Sequence, residues 1–105
     1  MDQETFRGIV QPYTMTTQPR IDCLFQSLEY VRNQGLEGDF VECGVWKGGN
    51  ILGMMKYLEH HRLTDSTIWL YDTFSGMTPP TDMDIDCGNN RASDILEQVI
   101  CLSPI

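Results

Sequence analysis

The chain has 105 residues, 41% of them hydrophobic, with a formal net charge of −8 and a pI near 4.4. That length suits one domain with a single core. Seven Lys and Arg against fifteen Asp and Glu exclude a nucleic-acid surface and argue against an anionic membrane face, so charge speaks here to solubility and not to fold.

In chain order, residues 1–19 read as polar and irregular, with Pro12 and Pro19 as breakers. From Ile21 the pattern changes: Ile21, Leu24, Phe25, Leu28 and Val31 recur at helical spacing, and Gly35 is placed to end the helix. The run GDFVECGV follows, short, apolar and bounded by glycines, and reads as a buried strand. Ile51, Leu52, Met54, Met55 and Leu58 predict a second helix over 49–61, with Asn50 as a candidate cap near its start. His60, His61 and Arg62 crowd its end, where cations suit the helix dipole. STIWLYDTF then predicts a second buried strand, and two such strands separated by a helix imply a parallel βαβ unit. Residues 75–90 read as a long acidic loop with Pro79 and Pro80, and residues 91–101 as a third helix.

Cys23, Cys43, Cys87 and Cys101 form no C-x-x-C pair, and the two histidines are adjacent, so no zinc spacing is present. With Cys43 and Cys101 in apolar runs, reduced core thiols of a cytoplasmic protein are expected. The start of the chain lacks the pattern of a signal peptide, and no apolar run approaches the ~20 residues of a membrane span.

The stretch ECGVWKGG carries the chemistry. A strand-to-helix turn points backbone N–H groups at its crevice, and glycine lets a ligand approach that backbone. The glycines stand at 44, 48 and 49, so the G-x-G-x-x-G dinucleotide fingerprint fails and a nicotinamide oxidoreductase is disfavoured. The turn alone is compatible with a purely structural role. Asp72 ends the next strand, where an acid can accept hydrogen bonds from both hydroxyls of a ribose or can simply form a turn. Glu42, one residue before the end of the first strand, either faces a ligand or caps the nearby helix N-termini.

The segments YTMTT, GDFVECGVWKGG and IWLYDTFSGMTPPT together resemble the macrocin O-methyltransferase (TylF-like) family, S-adenosylmethionine-dependent enzymes that methylate sugar hydroxyls of antibiotics and related natural products. The resemblance runs with gaps from about residue 9 to about residue 98. It implies a Rossmann-like class I methyltransferase fold, here incomplete, with residues 1–20 as a segment folding over the cofactor and 21–105 as the N-terminal part of the S-adenosylmethionine-binding domain. By the same resemblance Glu42, Gly44, Val45, Trp46, Gly48 and Gly49 form the methionine-binding corner, with Glu42 near the amino group. Asp72 is the ribose acid, Thr73 and Phe74 lie beside the adenosine, and Tyr13, Thr14 and Met15 cover the cofactor.

The resemblance further implies a Mg²⁺ ion, held in the complete enzyme by acids of later strands that do not occur here. A class I methyltransferase has a sheet of about seven strands, and two are recognisable in this sequence. The expectation is therefore a cofactor-binding portion, inactive by itself, completed by a missing C-terminal part or by a homo-oligomer. The alternative is a non-catalytic S-adenosylmethionine-binding or assembly module. Asp82, Asp84 and Asp86 imitate a calcium loop, but Cys87 stands where Gly is needed and Ser93 where Glu is needed. They read as a solvated acidic loop near the substrate entrance.

Overall fold

A computed structural model of the chain describes residues 1–96. The order is α1 (Gln3–Val10), a short 3-10 turn (Gln11–Tyr13), α2 (Gln18–Asn33), β1 (Phe40–Cys43), α3 (Gly49–His60), β2 (Ile68–Tyr71) and α4 (Ala92–Leu96). Met1–Asp72 forms one compact unit, and the described residues from Thr73 onward belong to a second.

In the first unit β1 and β2 pair in parallel, in the register Phe40 to Ile68, Val41 to Trp69, Glu42 to Leu70 and Cys43 to Tyr71. This is the βαβ unit expected from the sequence, with α3 as the crossover. Asp39 fixes the start of the pairing: its carboxylate accepts from the Thr67 N–H at 3.0 Å and the Trp69 indole N–H at 2.9 Å.

The N-terminal segment departs from expectation. Residues 3–10 are a helix, not irregular chain. Asp2 caps it by accepting from the Thr5 N–H at 2.7 Å. Phe6 and Val10, four residues apart on one face, are fully buried. Phe6 packs on Phe25 of α2 with tilted rings and centroids 5.4 Å apart, and Phe25 meets Tyr57 of α3 edge-on at 5.9 Å. The core thus lies where three helices meet, completed by Ile21, Leu28, Val45, Ile51, Met54 and Leu58. Tyr57 is buried among them, and its hydroxyl donates to Glu29 and accepts from Arg32 at 2.9 Å. Helix α1 is tied to α2 by an ion pair between Arg7 and Asp22.

Two glycines allow α1 to sit against α3. A Cβ on Gly53 would stand 2.5 Å from Val10 Cγ2 and 2.9 Å from Phe6 Cζ, and one on Gly49 would stand 2.7 Å from the carbonyl oxygens of Val10 and Tyr13. Helix α2 begins at Gln18, with Pro19 in its first turn, and Gly35 at φ +61° follows its end as expected.

The strands are not buried on both faces. Phe40 and Ile68 pack against the helices, while Val41, Trp69 and Tyr71 are 60%, 50% and 60% exposed. Only one face of the sheet carries helices in this unit. For the same reason Cys43 is exposed; Cys23 on α2 and Cys87 in the second unit are exposed as well, so a core position is not found for any of the three. Cys101 lies outside the described residues.

In the second unit the acidic loop closes on itself. Asp86 accepts from the N–H groups of Gly88 and Asn90 at 2.8 and 2.9 Å, and Asp84 accepts from the Thr81 N–H at 2.7 Å. These acids organise turns, and Ile85 and Arg91 form an antiparallel bridge before α4. The remainder of the helix expected over 91–101 lies outside the described residues.

Candidate functional site

The carboxyl end of β1 runs into α3 through Gly44, Val45, Trp46, Lys47 and Gly48. Gly44 and Gly48 take φ +84° and +79°, the left-handed region glycine enters without penalty. Trp46 lies between them at φ +48°, a conformation that bulky residues adopt only where surrounding structure imposes it. What imposes it is Asp72, at the end of β2. Its Oδ2 accepts from the Val45 N–H at 2.6 Å and the Trp46 N–H at 3.3 Å. The two strand ends are thereby locked into one corner, and Gly44 N–H donates to the Tyr71 carbonyl at 2.8 Å.

A cleft of about 290 Å³ opens above this corner, lined by Tyr13, Thr14, Met15, Thr16, Arg20, Glu42, Gly44, Val45, Trp46, Gly49 and Asn50. It brings together eight residues singled out in the sequence: Tyr13, Thr14, Met15, Glu42, Gly44, Val45, Trp46 and Gly49. Gly48 starts α3 as its N-cap. Asp72 does not line the cleft and holds the corner through the Val45 and Trp46 N–H groups. Thr73 and Phe74 belong to the second unit, where the Thr73 hydroxyl donates to the Gly76 carbonyl at 2.9 Å.

Glu42 is the chemical centre of the cleft. Asn50, expected to cap α3, instead lies inside the helix and donates from Nδ2 to Glu42 Oε1 at 2.8 Å. The remaining acceptors of that pair, Glu42 Oε2 and Asn50 Oδ1, are buried and have no partner among the described residues. Burial pushes the Glu42 carboxyl above the usual carboxylate range, against the opposing hydrogen bond from Asn50. Buried acceptors left unmade are costly, so the pair has capacity for a donor from outside the chain.

A larger cleft of about 520 Å³ lies at the other end of the strands, between Val31, Arg32, Leu36, Phe40, Leu58 and Arg62. Size favours it, but chemistry favours the corner. Ligands of parallel α/β sheets bind at the carboxyl ends of the strands, and the orphaned acceptors of Glu42 and Asn50 stand there.

A family model for macrocin O-methyltransferase (TylF) matches residues 8–103. The chain belongs to the macrocin O-methyltransferase family. Its relatives include the 8-demethyl-8-(2,3-dimethoxy-alpha-L-rhamnosyl)-tetracenomycin-C 4'-O-methyltransferase of Streptomyces olivaceus, 40% identical over 62% of this chain and 25% of that protein. The demethyldecarbamoylnovobiocin O-methyltransferase of Streptomyces niveus is 37% identical over the same shares. The mycinamicin III 3''-O-methyltransferase of Micromonospora griseorubida is 33% identical over 69% of the chain and 28% of that protein. The solved O-methyltransferase NovP superposes with a TM-score of 0.62 at 30% identity, over 87% of this chain and 38% of that one. The fold is therefore the Rossmann-like methyltransferase fold, incomplete here, and the chain spans about a quarter of the length of the curated relatives it matches.

Arg20 and Thr16 line the cleft without having been singled out in the sequence, and Asn50 was singled out only as a candidate cap. Its place in the cleft could have been found from its position in the first turn of a helix that follows an acid-bearing strand. Arg20 gave no such signal, because a lone Arg after a proline reads as surface. Among the described residues no group of three His, Cys, Asp or Glu is arranged to hold a metal ion, and no helix is long and apolar enough to cross a membrane.

Proposed function

We propose that the chain is the cofactor-binding portion of an S-adenosylmethionine-dependent O-methyltransferase that acts on a sugar hydroxyl of a natural product or glycan-like acceptor. One observation carries the reading. A glycine-bearing strand-to-helix turn, anchored by an acid at the end of the next strand, stands beside Glu42, whose buried Oε2 has no donor among the described residues. An ammonium group satisfies that carboxylate, and the methionine part of the cofactor has one.

Bound at this corner, S-adenosylmethionine would supply a methyl group on a sulfonium. The chain's residues position it. Glu42 holds the ammonium, and Gly44 lets the methionine part lie against the backbone. Asp72 serves the ribose beside its task of holding the turn, and Tyr13–Met15 cover the cleft. Methyl transfer is helped chiefly by alignment, so a rigid corner is the contribution this chain can make. No residue here is assigned as the catalytic base, and no step is assigned to Mg²⁺. Activity of the chain by itself is not expected. The second reading, a non-catalytic cofactor-binding or assembly module, is favoured by the uncovered apolar face of the sheet.

Calorimetry with S-adenosylhomocysteine tests the assignment. Charged acceptors make hydrogen bonds worth ~1–3 kcal/mol, so Asp72→Ala should weaken binding at least several-fold. Because that change also frees the turn, Asp72→Asn is the sharper variant, since it keeps an acceptor for Val45 and Trp46 and removes the charge. Unaltered affinity in both would remove Asp72 from the site. No binding of any adenosine thioether by the wild type would remove the reading.

A further inference from the structure

His61 is the C-cap of α3, at the opposite end of that helix from the glycine turn. Its ring lies on Tyr57 with centroids 4.4 Å apart and meets His60 at 4.8 Å. Its Nε2 is buried and has no hydrogen-bond partner among the described residues. Glu29 of α2 faces it, with Oε1 4.0 Å away, which is too far for a hydrogen bond.

Glu29 is already engaged. Its Oε1 accepts from the Tyr57 hydroxyl, and Oε1 and Oε2 accept from Arg32 Nη2 at 3.3 and 3.0 Å. Tyr57 is 1% exposed, and its hydroxyl oxygen accepts from Arg32 Nε at 2.9 Å. Glu29 therefore takes the one proton that this buried hydroxyl has to donate. The other charged groups around His61 are cationic: Arg32 from α2, His60 from α3 once protonated, and the amino group of Met1 ahead of α1. A neutral imidazole suits this place, since it seals the end of the core with its ring. An imidazolium does not, because it brings a charge and a further donor with only Glu29 to answer them. Glu29 Oε1 can turn to His61 only by giving up Tyr57, which leaves a buried hydroxyl proton without an acceptor. Protonation thus costs the junction a hydrogen bond or an unpaired charge.

We propose that His61 is a proton-operated latch on the α2–α3 junction, closed while the ring is neutral and released when the protonated ring competes with Tyr57 for Glu29 Oε1. The latch lies outside the candidate cofactor cleft and does not rest on the cofactor reading. It bears on the seat of α1, because Tyr57 meets Phe25 and Phe25 meets Phe6. Burial, with the cationic neighbours, holds the His61 ring below the ordinary histidine range, and Glu29 opposes this. A group whose pKa is depressed by folding contributes stability that is present above its unfolded value, about 6.5 for histidine, and is lost as pH falls through the folded value. Mild acid should therefore open the latch.

Thermal melts of the full 105-residue chain at about pH 7 and about pH 5.5 read it. Both lie above the usual carboxylate range, so the paired acids stay charged, and the contribution of Glu42 is common to all variants and cancels. Over that interval the wild type should lose several degrees more than His61→Gln. Tyr57→Phe leaves Glu29 Oε1 free for His61, so its loss over the interval should also shrink, whatever its starting stability. In proton NMR the His61 ring signals, identified by their absence from His61→Gln, should titrate below the ordinary histidine value in the wild type and higher in Tyr57→Phe. An equal loss in the wild type and His61→Gln would overturn the latch, as would a His61 ring that titrates at the ordinary value. If His61→Gln fails to fold, the ring signals are identified by their retention in His60→Gln, and the titrations of the wild type and Tyr57→Phe decide.

Discussion

Glu42 is held where its charge is disfavoured, and that has a consequence for stability as well as binding. Its carboxyl titrates above the ordinary range in the folded chain because of burial. A group whose pKa is raised by folding contributes stability that is present below its unfolded pKa and is lost as pH rises through the folded value. Without ligand, Glu42 should therefore lower stability on going from acid to neutral pH. Glu42→Gln removes this dependence. Its amide can also donate to Asn50 Oδ1, the orphaned acceptor beside it. The expected result near neutral pH is a gain of about 1 kcal/mol in the unliganded chain, the usual net worth of one hydrogen bond, together with loss of S-adenosylhomocysteine binding. Thermal melts of both proteins across the acid range, with and without that ligand, check it. A variant no more stable than wild type at neutral pH would mean that the carboxylate is not disfavoured there.

Helix α1 shows how an element can be decisive and yet hard to read. Its apolar residues Phe6, Ile9 and Val10 do fall at helical spacing after Asp2, a capping residue. Eight residues with a glycine among them are nonetheless marginal by propensity, and what stabilises the helix is burial against α2 and α3, a long-range fact. The later elements were more legible because their signals are local: spaced apolar residues for α2 and α3, and β-branched and aromatic runs for the strands. The strands' exposure was not legible, since an apolar run says what could be buried and not what covers it. The corner showed a similar split. Glu42, the glycines and Asp72 could be picked out by position, but not the Asp72 bonds to Val45 and Trp46, nor the partnership of Asn50 with Glu42. The α1–α3 contact yields a graded prediction. Alanine at Gly53 gains about 1 kcal/mol of helix propensity but meets the buried side chains of Val10 and Phe6, and overpacking costs ~1–3 kcal/mol. Alanine at Gly49 meets backbone carbonyls instead, which give way less. Gly49→Ala should therefore melt below Gly53→Ala. It should also displace Tyr13 and weaken ligand binding, which calorimetry on the two variants would separate from simple destabilisation. Tyr13 and Met15 are about half exposed, so amide exchange over 13–15 should slow when S-adenosylhomocysteine binds. Equal exchange in both states would argue against a covering role.

At the scale of the whole molecule the unusual feature is the sheet. Two parallel strands with helices on one face leave Val41, Trp69 and Tyr71 as an exposed apolar row. Parallel sheets normally have both faces covered, and an uncovered apolar row marks a surface made to be covered. The curated relatives are about four times as long as the stretch matched here, and the NovP superposition takes in 38% of that chain. The strand-to-helix corner of this chain can be built without the rest, because its parts are the ends of β1 and β2, the start of α3 and the segment before α2. Methyl transfer asks for more. The acceptor hydroxyl must lie in line with the sulfonium methyl and give up its proton as the new C–O bond forms and the C–S bond breaks. The acids at the corner are occupied, Glu42 with Asn50 and Asp72 with the turn. Asp84 and Asp86 organise their own loop. His60 and His61 end α3, far along the helix from the glycine turn at its start. The expected outcome is that residues 1–105 bind the cofactor product but show no turnover with labelled S-adenosylmethionine, Mg²⁺ and a panel of sugar-bearing acceptors. A longer in-frame product, if the gene encodes one, should turn over and should lose activity on Asp72→Asn. Replacing Trp69 by Ser should leave ligand binding by the short chain intact, because that side chain lies outside the cleft, but should destabilise the longer product. Turnover by the short chain alone would show that a base and an acceptor site are already present in it.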